Sequence, residues 1–160
     1  MLSTLLVTHP WVTPLLLAAV VVVGPFAGAW LVRHRRLAVA LTVLALVPVA
    51  ALTLLPVDRE LYARCVAEWA LPTPARVESF ANLVLFVPPV LLAGVATRRW
   101  WVAAVLGSAT SALIEVVQAL LPALGRSCDT GDWLANTLGS VVGGVLALVA
   151  LRLAARRRPV

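Results

Sequence analysis

The sequence predicts an all-α, polytopic transmembrane helix bundle of about five spans, and three observations predict it. Apolar residues make up 62% of the 160-residue chain and charged residues 12%, against about 45–50% and about 25% in ordinary soluble domains. The apolar residues gather in five stretches, each near the roughly 20 residues that cross a hydrocarbon core about 30 Å thick. The thirteen basic residues are all arginine and stand in short runs beside those stretches. A soluble globule would lack polar side chains to cover itself, and a nucleic-acid-binding domain would carry its arginines as a stripe with interleaved aromatics. The net charge of +6 is therefore read as orienting the chain in a membrane, with membrane lipids and not nucleic acid as partners. Residues 1–160 are expected to form a single integral membrane domain.

The spans are expected at about residues 11–32, 37–56, 80–97, 100–122 and 132–151. Pro14, Pro25, Pro48, Pro88 and Pro89 fall inside them. In lipid, neighbouring helices can satisfy the freed backbone groups, so these prolines predict kinks and not breaks. Ala27-Gly28-Ala29 resembles a small-residue cleavage site. Residues 1–10 carry no Lys or Arg, however, and cleavage would leave Arg33–Arg36 on the wrong side, so the first span is expected to be retained.

Charge gives the orientation. Arg33, Arg35, Arg36, Arg98, Arg99, Arg152, Arg156, Arg157 and Arg158 fall on one side, with no acid. Arg59, Arg64, Arg76 and Arg126 fall on the other, with Asp58, Glu60, Glu68, Glu78, Asp129 and Asp132. The positive-inside rule then puts the amino terminus outside and the carboxyl terminus in the cytoplasm of a multi-pass cell-membrane protein.

The long outer connection, residues 57–79, opens with a helical period. Tyr62, Cys65, Val66 and Trp69 share one face, and Glu60, Arg64 and Glu68 form an i, i+4 ladder on another. A short extracytoplasmic helix is expected over residues 59–69, lying at the membrane interface or capping the bundle. Cys65 in this loop and Cys128 in the next are the only cysteines, and both face the oxidising side. A disulfide between them is expected from compartment and pairing, with two free thiols as the other reading. His9 and His34 lie on opposite sides of the membrane, which argues against a metal site.

Polar residues inside spans carry the functional information, because an acid there costs a few kcal/mol and usually faces a bundle interior or cavity. Glu115 lies seven residues before Pro122, about 10 Å below the outer end of its span. Ser108, Ser111, Glu115 and Gln118 share one helical face. In the fifth span Asp132, Asn136, Gly139 and Gly143 do the same, with Ser140 and Gly144 one position round. The glycines form small-xxx-small patterns that allow close helix approach. Asn82 stands near the outer end of the third span, and Arg126, Asp129 and Thr130 in the loop above. The cluster is either a pocket for a polar headgroup or a structural clasp of interhelical hydrogen bonds.

The pattern Glu115-x-x-Gln118, Pro122, Arg126, Asp129-x-x-Asp132-x-x-x-Asn136-x-x-Gly139 resembles the carboxyl-terminal signature of VanZ-like membrane proteins. Asn82-x-x-x-Phe86-x-Pro88 resembles their upstream element, and residues 78–151 form the family-like core. The resemblance implies a bacterial cytoplasmic-membrane protein acting at the cell envelope. The founding member is associated with resistance to teicoplanin-type glycopeptide antibiotics, and no catalytic mechanism is established for the family.

Two functions are compatible with these residues. In the first, Asn82, Glu115, Gln118, Arg126, Asp129, Asp132 and Asn136 bind an envelope lipid or a lipid-linked cell-wall precursor, with Arg126 able to hold a phosphate as a bidentate fork. In the second, Glu115 and Asp132 serve a membrane-embedded hydrolase or transferase, since an acid in apolar surroundings suits acid/base work. Mg²⁺ or Ca²⁺ on the three carboxylates belongs to that second reading; no cofactor is otherwise expected. The binding reading is preferred because no nucleophile stands beside a base and no H-E-x-x-H, G-x-S-x-G or phosphate-binding loop is present. A transporter is a third class, weakened by the lack of an internal repeat.

Overall fold

The computed structural model describes residues 8–58 and 63–156. Five helices carry the fold among them: α1 (Val12–Leu31), α2 (Arg35–Leu54), α3 (Val77–Thr97), α4 (Trp100–Leu120) and α5 (Thr130–Arg156). Each is long and apolar enough to cross a membrane, and each falls on a predicted span. The helices run on through Pro25, Pro48, Pro88 and Pro89.

Helix ends follow local chemistry. α2 stops at Leu54 and α4 at Leu120, short of Pro56 and Pro122, because a residue preceding proline is pushed out of the helical region. α3 begins at Val77, ahead of the expected position 80, with Glu78 in its first turn, where a carboxylate suits the positive helix end. α5 runs beyond the expected position 151 to Arg156 through Arg, Leu and Ala, all strong helix formers.

The expected loop helix is corrected. Its residues 59–62 lie outside the described residues, and residues 63–69 contain no helix, only a bend at Arg64 and a short strand. Cys65–Val66 (β1) pairs in parallel with Cys128–Asp129 (β2), and Cys128 N–H donates to Arg64 O at 2.9 Å. Cys65 is disulfide-bonded to Cys128, with their Cα atoms 4.5 Å apart. That link draws this backbone alongside residues 128–129 and overrides the local helical period. Glu68, expected in a helical ladder, instead forms an ion pair with Arg76.

α3 is the centre of the bundle and packs against all four other helices. α1 and α4 each rest on both α3 and α5, while α2 leans mainly on α3. Leu83, Val84, Val87, Leu91 and Val95 of α3 form the core with Ala135, Ala147 and Ala150 of α5. The α3 contact is close because α5 carries small residues at every fourth position. A Cβ on Gly139 would stand 2.2 Å from Leu83 O, and one on Gly143 2.6 Å from Val87 O. One position round, Asn136, Ser140 and Gly144 face α4, at Ser111, Gly107 and Ala104 respectively. The two stripes let one helix approach two neighbours at once.

At the end of the bundle away from the arginine runs, the two long loops lie against each other. Val57 N–H donates to Leu124 O at 3.0 Å, and Thr130 Oγ1 accepts from Glu68 N–H at 2.9 Å while donating to Glu68 O at 3.0 Å. Gly125 is required here. Its φ is +63°, and a Cβ would stand 2.0 Å from Val57 O.

Candidate functional site

Beneath the disulfide, α3, α4 and α5 converge on one polar cluster. Glu115 projects from α4 toward the start of α5, where its Oε2 accepts the Asp129 N–H at 2.7 Å. Asp129 Oδ1 in turn accepts the Gly131 N–H at 2.7 Å, the pattern of a side chain capping a helix start. Asp132, in the first turn of α5, has the Asn82 side chain of α3 beside it and Asp129, Glu78 and Arg126 in electrostatic reach. Glu115 also feels the charges of Asp129 and Asp132. Of the faces expected to oppose one another, Glu115 and Ser111 of α4 meet the start of α5 and Asn136, whereas Gly139 and Gly143 face α3.

One turn deeper, Asn136 Nδ2 donates to Ser111 Oγ at 2.9 Å, and both residues are buried. Ser140 Oγ donates to Asn136 O at 2.8 Å, and Ser108 shares a 2.8 Å bond with Thr137. Asn136 Oδ1 is buried without a hydrogen-bond partner.

A cavity of about 380 Å³ empty volume lies between α4 and the start of α5, lined by Ala112, Glu115, Cys128, Asp129, Thr130 and Trp133. Its exposed wall is almost wholly apolar, with Glu115 and Asp129 at its edge, and Cys128 makes the disulfide part of that wall. Trp133 packs edge-on against Trp69, with ring centroids 6.2 Å apart, and its indole N–H is buried and unpaired. Sequence reasoning did not single out Trp133. The available signal was a tryptophan one residue after Asp132, inside the most polar stretch of the fifth span.

Six of the seven expected site residues reach this region, and Gln118 does not. Its Nε2 donates to Thr53 O of α2 at 2.9 Å, where it satisfies one of the carbonyls left open at that helix end. Arg126 joins the region's edge, with its Nε donating to Leu55 O at 3.2 Å. Among the described residues no group of three or more His, Cys, Asp or Glu is placed to hold a metal ion. Glu115 and Asp129 here act as acceptors for backbone donors.

A five-helix membrane bundle with an acid–amide cluster under a disulfide-tied pair of loops defines a polytopic integral membrane protein with a polar site at one end. The VanZ/LLP1 family model matches residues 11–151, and the chain belongs to that family. The match takes in α1 and α2 as well as the motif-bearing helices. No curated protein and no solved structure matches the chain.

Proposed function

We propose that the cavity beneath the disulfide binds the polar headgroup of an envelope lipid, or of a lipid-linked cell-wall precursor, at the outer face of the cytoplasmic membrane. The observation that carries this reading is Glu115, an acid within a membrane-spanning helix that lines a cavity beside the unpaired indole N–H of Trp133. Ionisable groups inside spans mark functional sites by default. The polar atoms left unpaired are consistent with it: of three such buried side-chain atoms among the described residues, two belong to Trp133 and Asn136.

The local charge selects the headgroup. Glu115, Asp129, Asp132 and Glu78 outnumber Arg126, so hydroxyl or amino donors suit the cavity better than an unaccompanied phosphate. Arg126 then balances the carboxylates at the rim. The nine-to-four distribution of arginines supports an outward-facing position for this end. Teicoplanin-type tolerance would follow from altered display of the bound lipid.

Catalysis is disfavoured by the surroundings of Glu115. Cys128 is in a disulfide, Thr130 Oγ1 is bonded on both sides to Glu68, and Ser111 and Ser108 are held against α5. Purified protein and its Glu115→Gln variant, incubated with labelled envelope lipids, test the reading. Retention of lipid without turnover by wild type, weakened by the substitution, is the expected result. Consumption of lipid by wild type alone would replace binding with catalysis, and no retention by either form would leave a structural clasp.

A further inference from the structure

A second concave feature lies at the opposite, arginine-rich end. α2 and α4 touch each other little. They are drawn together toward the loop end by the Gln118–Thr53 bond and by packing of Val49, Phe86 and Ile114. Away from that contact they enclose a groove with α3 as its floor and an empty volume of about 600 Å³, part of it open to the surroundings. Leu46 and Thr42 of α2 form one wall, and Leu106 and Val102 of α4 the other.

The groove is dry in character. Thr42 and Thr97 donate their hydroxyls to Ala38 O and Ala93 O of their own helices, at 2.8 and 2.7 Å. Both hydroxyls are therefore occupied within their own helices. Its floor runs from Phe86 to Thr97, eleven helical steps or about 16 Å. One leaflet of a hydrocarbon core is about 15 Å deep. The groove thus has the length of a single leaflet and ends where that leaflet meets water.

Charge stands at that end. Thr97 is followed directly by the exposed Arg98 and Arg99. Arg35, at the start of α2, is drawn over the end of α3 by its Nε bond to Ala96 O at 3.4 Å. No acidic residue occurs in the connecting segments 32–36 and 97–100, so no carboxylate of these links competes for the three guanidinium groups.

We propose that this groove holds one acyl chain of an anionic phospholipid from the arginine-rich leaflet, with the lipid phosphate held by Arg35, Arg98 and Arg99. Apolar length and cationic rim together match that molecule. A neutral lipid would fill the groove and leave the rim unused, and a helix from a second copy would need a carboxylate to meet it.

The test uses the full chain in detergent, with phosphatidylglycerol and phosphatidylcholine of identical acyl chains counted on the intact protein by native mass spectrometry. Phosphatidylglycerol is expected to bind more tightly. Each of Arg98→Gln and Arg99→Gln should cost about fivefold, the worth of one arginine near an anionic surface. Ala93→Phe, which places a ring in the half-buried groove floor, should abolish the preference while α-helical content stays unchanged. Equal binding of the two lipids by wild type, or a preference that survives Ala93→Phe, would overturn the proposal. So would loss of a dimer instead of a lipid on that substitution.

Discussion

Asn136 shows how much one side chain can settle. Its Nδ2 is spent on Ser111, and its Oδ1 is buried unpaired. Removing the side chain therefore loses one interhelical bond, worth about 1 kcal/mol in a membrane, and relieves an unsatisfied acceptor. Asn136→Ala should leave stability nearly unchanged in a detergent unfolding titration, yet weaken headgroup retention by the purified protein. A large drop in stability with intact retention would make Asn136 a packing residue. Gln118 should behave in the opposite way. Gln118→Ala removes the link to Thr53 O and is expected to cost about 1 kcal/mol, with headgroup retention unaffected. The sequence placed Gln118 with Glu115 because both lie on one helical arc. The arc was correct, but a long amide can reach to either side, and the open carbonyl at the end of α2 was not visible from spacing alone.

At the level of elements, the small residues of α5 set how closely the helices approach. A methyl group on Gly139 would meet the backbone oxygen of Leu83 at 2.2 Å, whereas one on Gly144 would meet the Ala104 methyl at 3.0 Å. The first separation cannot be accommodated without moving a helix, whereas the second asks for a few tenths of an ångström. Gly139→Ala should therefore cost about 1–3 kcal/mol, the usual range for overpacking, and Gly144→Ala clearly less, as read from thermal loss of the monodisperse protein. Equal costs would show that α3 and α5 are not held in register there. The spans themselves were legible, since hydropathy over roughly 20 residues admits few alternatives in lipid. The loop helix was not. Its period over residues 63–69 was real, but a local pattern in a short segment gives way to a covalent link with Cys128. The sequence suggested both the link and the helix, without showing that they exclude one another.

For the whole molecule, the disulfide joins residues 63 positions apart. Cross-linking a loop of that length restricts the unfolded chain by at most about 4 kcal/mol, and by less while α3 and α4 remain inserted. Cys65→Ser is expected to lower stability within that bound. Because Cys128 also walls the cavity, the substitution should weaken headgroup retention, and reduction of the wild-type protein should do the same. Full retention after reduction would separate the covalent tie from the binding site.

The order of helices along the chain has a consequence for biogenesis. α1 and α2 leave the ribosome first and scarcely touch, while the central α3 finds its broadest partner only in α5, the last span. Until that span arrives, Ser111 and Glu115 have neither Asn136 nor Asp129 to meet them and must wait in the bilayer unanswered. α5 therefore completes the bundle last, and a nascent chain stalled before residue 129 would present quality-control proteases with an intramembrane acid that lacks its backbone partner.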